Sequence, residues 1–298
     1  MSIWNSMDWV LPLRTPFLNG FFELVTLAGY PLFLIMFLCF GYFALGSRRF
    51  FHTAMLLMAA GLLNSWLKDF GQDPRPDAIY ALDGRVGDSY GWPSGHTQVA
   101  VVLWGYLAYT MRQNSAYAAA AIFICLQGFS RLYLGVHDLG DVFWGFVFGV
   151  LCLAAYIGVA RHATSRRRLA SLSLPQIGLA LIVVQGFYIA FYPAHIGHEA
   201  PYWFIGLTTG WLIGRYLRGH EEVTLPGPLF VQLPLAALLT GLSFILMLLT
   251  TRLPRALGED NALVQYGFGV LFGVAIIGLL PYLVAKANQL VTRQAQQA

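Results

Sequence analysis

Nine predominantly apolar stretches follow one another with little between them, near 29–46, 51–69, 95–111, 116–134, 139–160, 174–192, 202–217, 229–250 and 263–285. Each is close to the roughly 20 residues a helix needs to cross a bilayer, where backbone polar groups must be satisfied within the segment itself. The pattern predicts an all-α fold, a polytopic transmembrane helix bundle. Composition agrees: 57% of the residues are hydrophobic and 11% charged, and the mean hydropathy is +0.62, whereas soluble domains carry about 25% charged residues. Residues 16–28 (PFLNGFFELVTLA) are apolar but include Asn19 and Glu23. They either extend the first span or lie in the membrane interface with Trp4 and Trp9 as anchors, and the second reading is preferred.

Nine spans put the termini on opposite sides. Eleven basic residues then fall on one side: Arg48, Arg49, Arg112, Arg161, Arg166, Arg167, Arg168, Arg215, Arg218, Lys286 and Arg293. Seven fall on the other: Arg14, Lys68, Arg75, Arg85, Arg131, Arg252 and Arg255. The run RHATSRRR (161–168) marks its side as cytoplasmic, because cytoplasmic loops collect Lys and Arg. A net charge of +4, spread over short loops, does not form the continuous basic face that nucleic acid requires. Cys39, Cys125 and Cys152 lie inside apolar runs without metal-ligand spacing and read as small hydrophobes. The first residues carry Asp8 and lack a basic start before an apolar core, so no cleavable signal is expected.

Three polar stretches interrupt the apolar chain: KDFGQDPRP (68–76), PSGH (93–96) and SRLYLGVHDLGD (130–141). The assigned orientation places all three on the extracytoplasmic face. Charged groups next to hydrocarbon are costly and need a reason, and phosphoryl transfer through histidine supplies one. Such transfer requires cationic donors for the phosphoryl oxygens, a neutral oriented imidazole to attack phosphorus, and a proton donor at the leaving oxygen. Lys68, Arg75 and Arg131 offer the charge, the two guanidiniums as forks, and Pro74 and Pro76 stiffen the loop that presents Arg75. Ser94, Gly95 and His96 open a helix, where unpaired N–H groups favour an anion and glycine permits close backbone approach. Asp141 lies four residues after His137, one helical turn, and can accept the imidazole N–H and fix its tautomer.

Lys68-x6-Arg75-Pro76, Pro93-Ser94-Gly95-His96 and Ser130-Arg131-x5-His137-x3-Asp141 together resemble the three-part signature of the type 2 phosphatidic acid phosphatase (PAP2) superfamily, which includes lipid phosphatases, glucose-6-phosphatase and vanadium haloperoxidases. The resemblance covers about residues 30–192. It implies a helical core of about six spans, with His137 as nucleophile, His96 as acid for the leaving group and Asp141 orienting His137. Lys68, Arg75, Ser94, Gly95 and Arg131 would bind phosphate, and hydrolysis would need no metal and no cofactor. The surroundings YGWPSGHTQ and SRLYLGVHDLGD look closest to the dolichyl-diphosphate and sphingosine-phosphate phosphatases.

The chain accordingly divides into an N-terminal segment (1–28), a catalytic transmembrane core (29–192) and about three additional spans (193–298) on which the resemblance is silent. The implied partner is a lipid phosphate at the outer edge of the cell (inner) membrane: isoprenyl diphosphate, phosphatidic acid, phosphatidylglycerol phosphate or a sphingoid phosphate. A phosphotransferase using the same phosphohistidine, a non-enzymatic lipid carrier and a vanadate-dependent peroxidase are the rivals. Asp138 competes with Asp141 as a helix cap, and Ser130 beside Arg131 either packs or contributes to the site. Asp69 and Asp73 flank the cationic loop without an assigned role; Asp83, Arg85 and Asp88 read as solvated loop. His195, His198 and Glu199 (HIGHE) lack the spacing of a zinc helix. Glycines in 135–149 and 267–278 are expected to permit close helix packing.

Overall fold

The computed structural model describes residues 6–193, 200–219, 222–258 and 261–297. Among them there is no strand. Every apolar stretch of the sequence falls on a helix: α1 Pro16–Leu27, α2 Pro31–Ala44, α3 Ser47–Gly71, α4 Gly95–Met111, α5 Asn114–Tyr133, α6 Leu139–Arg161, the short basic α7 Ala163–Ala170, α8 Leu174–Ala190, α9 Tyr202–Arg218, α10 Leu229–Ala256, α11 Ala262–Val274 and α12 Leu280–Gln297. The last two are one continuous helix, joined by a π-helical turn at Ala275–Leu279. Five helices are long and apolar enough to cross a membrane, and six if the broken pair α1 and α2 counts as one span. The protein is an all-helical, multi-pass chain.

The chain forms two compact units. The first comprises the described residues of Met1–Leu34, Leu56–Ser173 and Gly186–Ala200, and the second those of Ile35–Met55, Leu174–Gln185 and Pro201–Ala298. In the first, α4 and α6 pack closely because α6 presents glycines to α4. A Cβ on Gly149 would sit 2.7 Å from that of Val101, and one on Gly145 3.2 Å from that of Thr97. The approach brings the N-terminal ends of α4 and α6 together, and the Ser94 N–H donates to the Asp141 carbonyl at 2.9 Å.

Helix α1 begins at Thr15, whose hydroxyl caps Leu18 N–H just before Pro16 at the first helical position. Phe22 and Thr26, one turn apart, are its buried residues. The Phe22 ring lies 4.5 Å from Tyr133 and 5.3 Å from Phe129 of α5. The Tyr133 hydroxyl donates to Asn19 Oδ1 at 2.8 Å, so the polar residue in this apolar helix is matched. The chain breaks at Ala28–Tyr30, and that break delivers Tyr30 to the polar end of the unit.

In the second unit α9 and α11 meet backbone to backbone. Side chains at Gly206 and Gly210 would collide with the carbonyls of Tyr266 and Val270, and side chains at Gly269 and Gly273 with the α9 backbone. The glycines of 145–149 and 267–278 that meet a neighbour thus serve close helix contact. Gln185 of α8 donates to Thr208 and Thr209 of α9, and Thr209 pairs with the Tyr266 hydroxyl of α11 at 3.0 Å. Polar side chains inside apolar helices are here satisfied by one another.

Candidate active site

The loop of residues 72–94, between α3 and α4, is stitched to the α5–α6 turn. Leu82 N–H donates to the Leu134 carbonyl at 2.8 Å. Arg14 donates to the carbonyls of Tyr80 (2.7 Å) and Tyr133 (3.0 Å), tying both segments to the residues before α1. The junction depends on Gly135. Its φ is +70°, and a Cβ there would collide with the Tyr80 carbonyl. Gly135→Ala should therefore lower stability by about 1–3 kcal/mol, from left-handed backbone strain plus a backbone clash; thermal unfolding in detergent measures this, and an unchanged midpoint would refute it.

His137 follows two residues later and is 2% exposed. Its Nδ1 lies 2.8 Å from Asp141 Oδ2 and its Nε2 3.1 Å from Arg75 Nη1. Carboxylate at one nitrogen and guanidinium at the other assign a single tautomer: Nδ1–H donates to Asp141, and the Nε2 lone pair faces Arg75. Burial, then the charges of Lys68, Arg75 and Arg131, push the imidazole well below its ordinary pKa, so it is neutral at physiological pH. The two aspartates of the turn cap α6 reciprocally: Asp138 accepts from Asp141 N–H at 2.9 Å, and Asp141 Oδ2 accepts from Asp138 N–H at 3.4 Å as well as from the imidazole.

Arg75 is held in place on every side. Its Nε donates to Ser89 O (2.7 Å), its Nη2 to Ser89 Oγ (2.8 Å) and its Nη1 to Val136 O (2.8 Å). Burial, followed by the neighbouring Arg131 charge, pushes its pKa down to about 10, still fully charged at neutral pH. Lys68, in the last turn of α3, donates to the carbonyls of Tyr90 and Gly91.

Ser94 is fully buried and precedes α4, but its hydroxyl makes no cap and accepts from Thr97 instead. The first-turn N–H groups of α4 are thus left without a side-chain partner from Ser94. The side of Gly95 on which a Cβ would stand is filled by Asn64, whose Oδ1 would be 2.9 Å away. Asn64 in turn donates to the Pro93 carbonyl (3.1 Å) and to Gln98 (2.9 Å), fixing the start of the helix. His96 packs edge-on against Tyr30, ring centroids 4.6 Å apart, and its buried Nε2 has no hydrogen-bond partner.

Arg131 is fully buried. Only its Nη1 is engaged, with Thr26 Oγ1 and with Asp83 Oδ2 at 3.0 Å, while Nε and Nη2 find no partner. The eight expected residues lie together in the first unit, six at the ends of α3, α4, α5 and α6 and Arg75 and His137 in the loops between them, with Lys68, Arg75, Arg131 and His96 all within electrostatic reach of His137. Ser130 belongs to the packing, since its hydroxyl bonds back to the Gln127 carbonyl of its own helix.

Four further residues escaped the sequence reading. Asp83, expected in solvent, is 2% exposed and ion-paired with Arg131. Tyr30 donates to Asp83 at 2.6 Å, and Thr26 and Asn64 hold Arg131 and the start of α4. Asp69 is buried and accepts from the Tyr192 hydroxyl. His195, His198 and Glu199 lie outside the described residues.

The PAP2 superfamily profile matches residues 49–165, which contain all eight residues. Phosphatidylglycerophosphatase B of Bacillus subtilis (strain 168) is 30% identical over 156 residues, covering 47% of this chain and 73% of that protein. The chain belongs to the PAP2 superfamily. Lipid phosphate phosphatase delta of Arabidopsis thaliana is 28% identical over 160 residues, 48% of this PAP2 chain but only 38% of the plant protein. The crystal structure of a transmembrane PAP2-type phosphatidylglycerolphosphate phosphatase from Bacillus subtilis aligns with a TM-score of 0.44 at 27% identity, over 51% of this chain and 81% of that one.

Proposed function

We propose that this protein is a membrane lipid phosphatase that works through a phosphohistidine at His137. The observation that carries the proposal is the line Asp141–His137–Arg75: a neutral imidazole, oriented by a carboxylate, whose Nε2 lone pair accepts from a guanidinium that a phosphoryl oxygen can take over. A phosphoryl group entering between Arg75 and His137 would meet cations on its oxygens and a nucleophile at phosphorus.

In the first step, with His96 protonated beside the bound phosphate anion, His137 Nε2 bonds to phosphorus as the P–O bond to the lipid breaks, and the leaving oxygen takes the extra proton of the His96 imidazolium. In the second, water attacks phosphorus, His96 takes a proton from it, the P–N bond breaks and inorganic phosphate leaves. Asp141 holds the Nδ1 proton throughout. Lys68, Arg75, Arg131 and the first turn of α4 neutralise charge gathering on the oxygens. Three cationic side chains already occupy the role a divalent ion would fill, and they would repel one, so the reaction is expected to run without metal.

The substrate class follows from location. The polar ends of apolar helices reach a head group whose tails stay in the bilayer. This suits phosphatidic acid, phosphatidylglycerol phosphate, a sphingoid phosphate or an isoprenyl diphosphate. The excess of arginine at the opposite helix ends supports an extracytoplasmic site.

Purified protein in mixed micelles should release inorganic phosphate from at least one of these lipids, with activity unchanged by EDTA. In spheroplasts a membrane-impermeant short-chain substrate should be hydrolysed from outside. Loss of turnover on chelation, restored by magnesium, would reject the metal-free mechanism, and label passing to a lipid alcohol rather than to phosphate would make the protein a transferase.

A further inference from the structure

Arg131 is a buried cation on an apolar helix, and among the described residues Asp83 is the one carboxylate that pairs with it. The contact spans 48 residues of sequence and neither side chain has any exposure. Asp83 is also heavily bonded. Its Oδ2 accepts from Arg131 and the Tyr30 hydroxyl, and its Oδ1 from Arg85 Nε (2.7 Å) and Arg85 N–H (3.2 Å). Burial alone would raise this carboxyl; the bonds from Tyr30, Arg85 and Arg131 outweigh it and hold Asp83 well below the ordinary carboxylate range. An ordinary loop cap would need only the Arg85 N–H bond. The carboxylate reaches past it to an interior guanidinium.

The side of Arg131 that Asp83 grips is informative. Thr26 and Asp83 both take Nη1, while Nε and Nη2, the parallel donors along the opposite edge, are buried without partners. A guanidinium fork of this kind matches two oxygens of one phosphoryl group. The same Tyr30 that donates to Asp83 packs edge-on against His96, and the Arg131 guanidinium lies 5.9 Å from the Tyr30 ring centre.

The geometry points to Asp83, with Tyr30, as a positioning pair for the phosphoryl group. It anchors Arg131 by Nη1 so that the Nε–Nη2 edge faces the reacting oxygens, and it sets the ring against which His96 stands. The inference rests on the phosphatase reading. Neither residue belongs to the three motifs; their part is to hold two motif residues in register. A fork fixed before substrate arrives fits the five-coordinate transition state better than the tetrahedral ground state, so the effect should appear in turnover rather than binding.

The test uses Asp83→Asn and Tyr30→Phe in the full-length protein, assayed on the lipid phosphate the wild type hydrolyses fastest, with vanadate as the five-coordinate analogue and inorganic phosphate as the tetrahedral one. Asp83→Asn should lower kcat by about tenfold to a hundredfold, the scale of one charge-assisted bond. KM and inhibition by inorganic phosphate should shift less than about threefold, and vanadate inhibition should weaken in step with kcat. A variant that merely folds less well would lower kcat while its vanadate inhibition constant stayed at the wild-type value, and that result overturns the inference, as does wild-type kcat. Should Asp83→Asn not fold, Tyr30→Phe decides. It removes one hydroxyl and should show the same joint loss of kcat and vanadate affinity at about threefold to tenfold; no change sinks the proposal. A wild type that releases phosphate from no lipid rejects the phosphatase reading and this one with it, whereas an active wild type with indifferent variants rejects this one alone.

Discussion

His137→Ala should cut phosphate release by at least about a thousandfold, because nothing near it can form the covalent bond in its place. The other imidazole of the network, His96, has no carboxylate partner, and its ring is committed to Tyr30. Lys68 is bonded to two backbone carbonyls that engage its ammonium as a cation. Among the described residues only His137 combines a fixed tautomer, a neutral state and a lone pair on the cationic side. The variant leaves Asp141 buried without its partner, so some stability is lost, and folded protein has to be counted before rates are compared. The sharper readout is the intermediate. Wild type quenched during turnover of labelled substrate should carry phosphate that is stable in base and labile in acid, as phosphoramidates are, and the variant should carry none. Residual activity within about tenfold of wild type, or a labelled protein in the variant, would remove His137 from the nucleophile's role.

Where the information was local, it was legible in the sequence. Helix placement followed from the apolar runs, although among the described residues five of the resulting helices, or six with α1 and α2 as one broken span, are long and apolar enough to cross a membrane where nine were expected. Eight site residues lay in three short stretches, and the His137–Asp141 contact expected from their spacing is present, although His137 stands in the bend before α6 and reaches Asp141 across the Asp138 cap rather than along a helical turn. What sequence could not display was pairing across the chain. Asp83 reads as a loop aspartate because its neighbours Gly84, Arg85 and Gly87 are loop residues. Its partner Arg131 is 48 positions away, and Thr26, which shares that guanidinium, is 105 positions from it. A signal did exist in the charge balance. One buried and two half-buried cations in a single site call for a carboxylate beyond the one committed to His137, and the loop between the first two motifs had candidates. The start of α4 shows the opposite limit: Gly95 was expected to open space beside the backbone, and Asn64 of α3 occupies it.

His96→Ala should produce a loss that depends on the leaving group. With a lipid phosphate the departing group is an alkoxide, and without a proton it leaves slowly. Deleting a general acid there should cost about a hundredfold to ten-thousandfold. With an activated aryl phosphate the departing oxygen is already a stable anion, so the same deletion should slow its release in the first turnover, before the shared hydrolysis of the phosphohistidine, by less than about tenfold. The structure makes the comparison clean. His96 Nε2 is buried without a hydrogen-bond partner, so its removal breaks no bond within the network, and the Asp141–His137–Arg75 line does not pass through it. A loss confined to alkyl esters therefore reports proton transfer. Equal first-turnover losses on both substrates would mean that His96 acts on the phosphoryl group itself, as a donor to its oxygens. Near-equal retention on both would leave the leaving group served by another donor, and Lys68, whose ammonium now rests on Tyr90 and Gly91, would be the next side chain to replace.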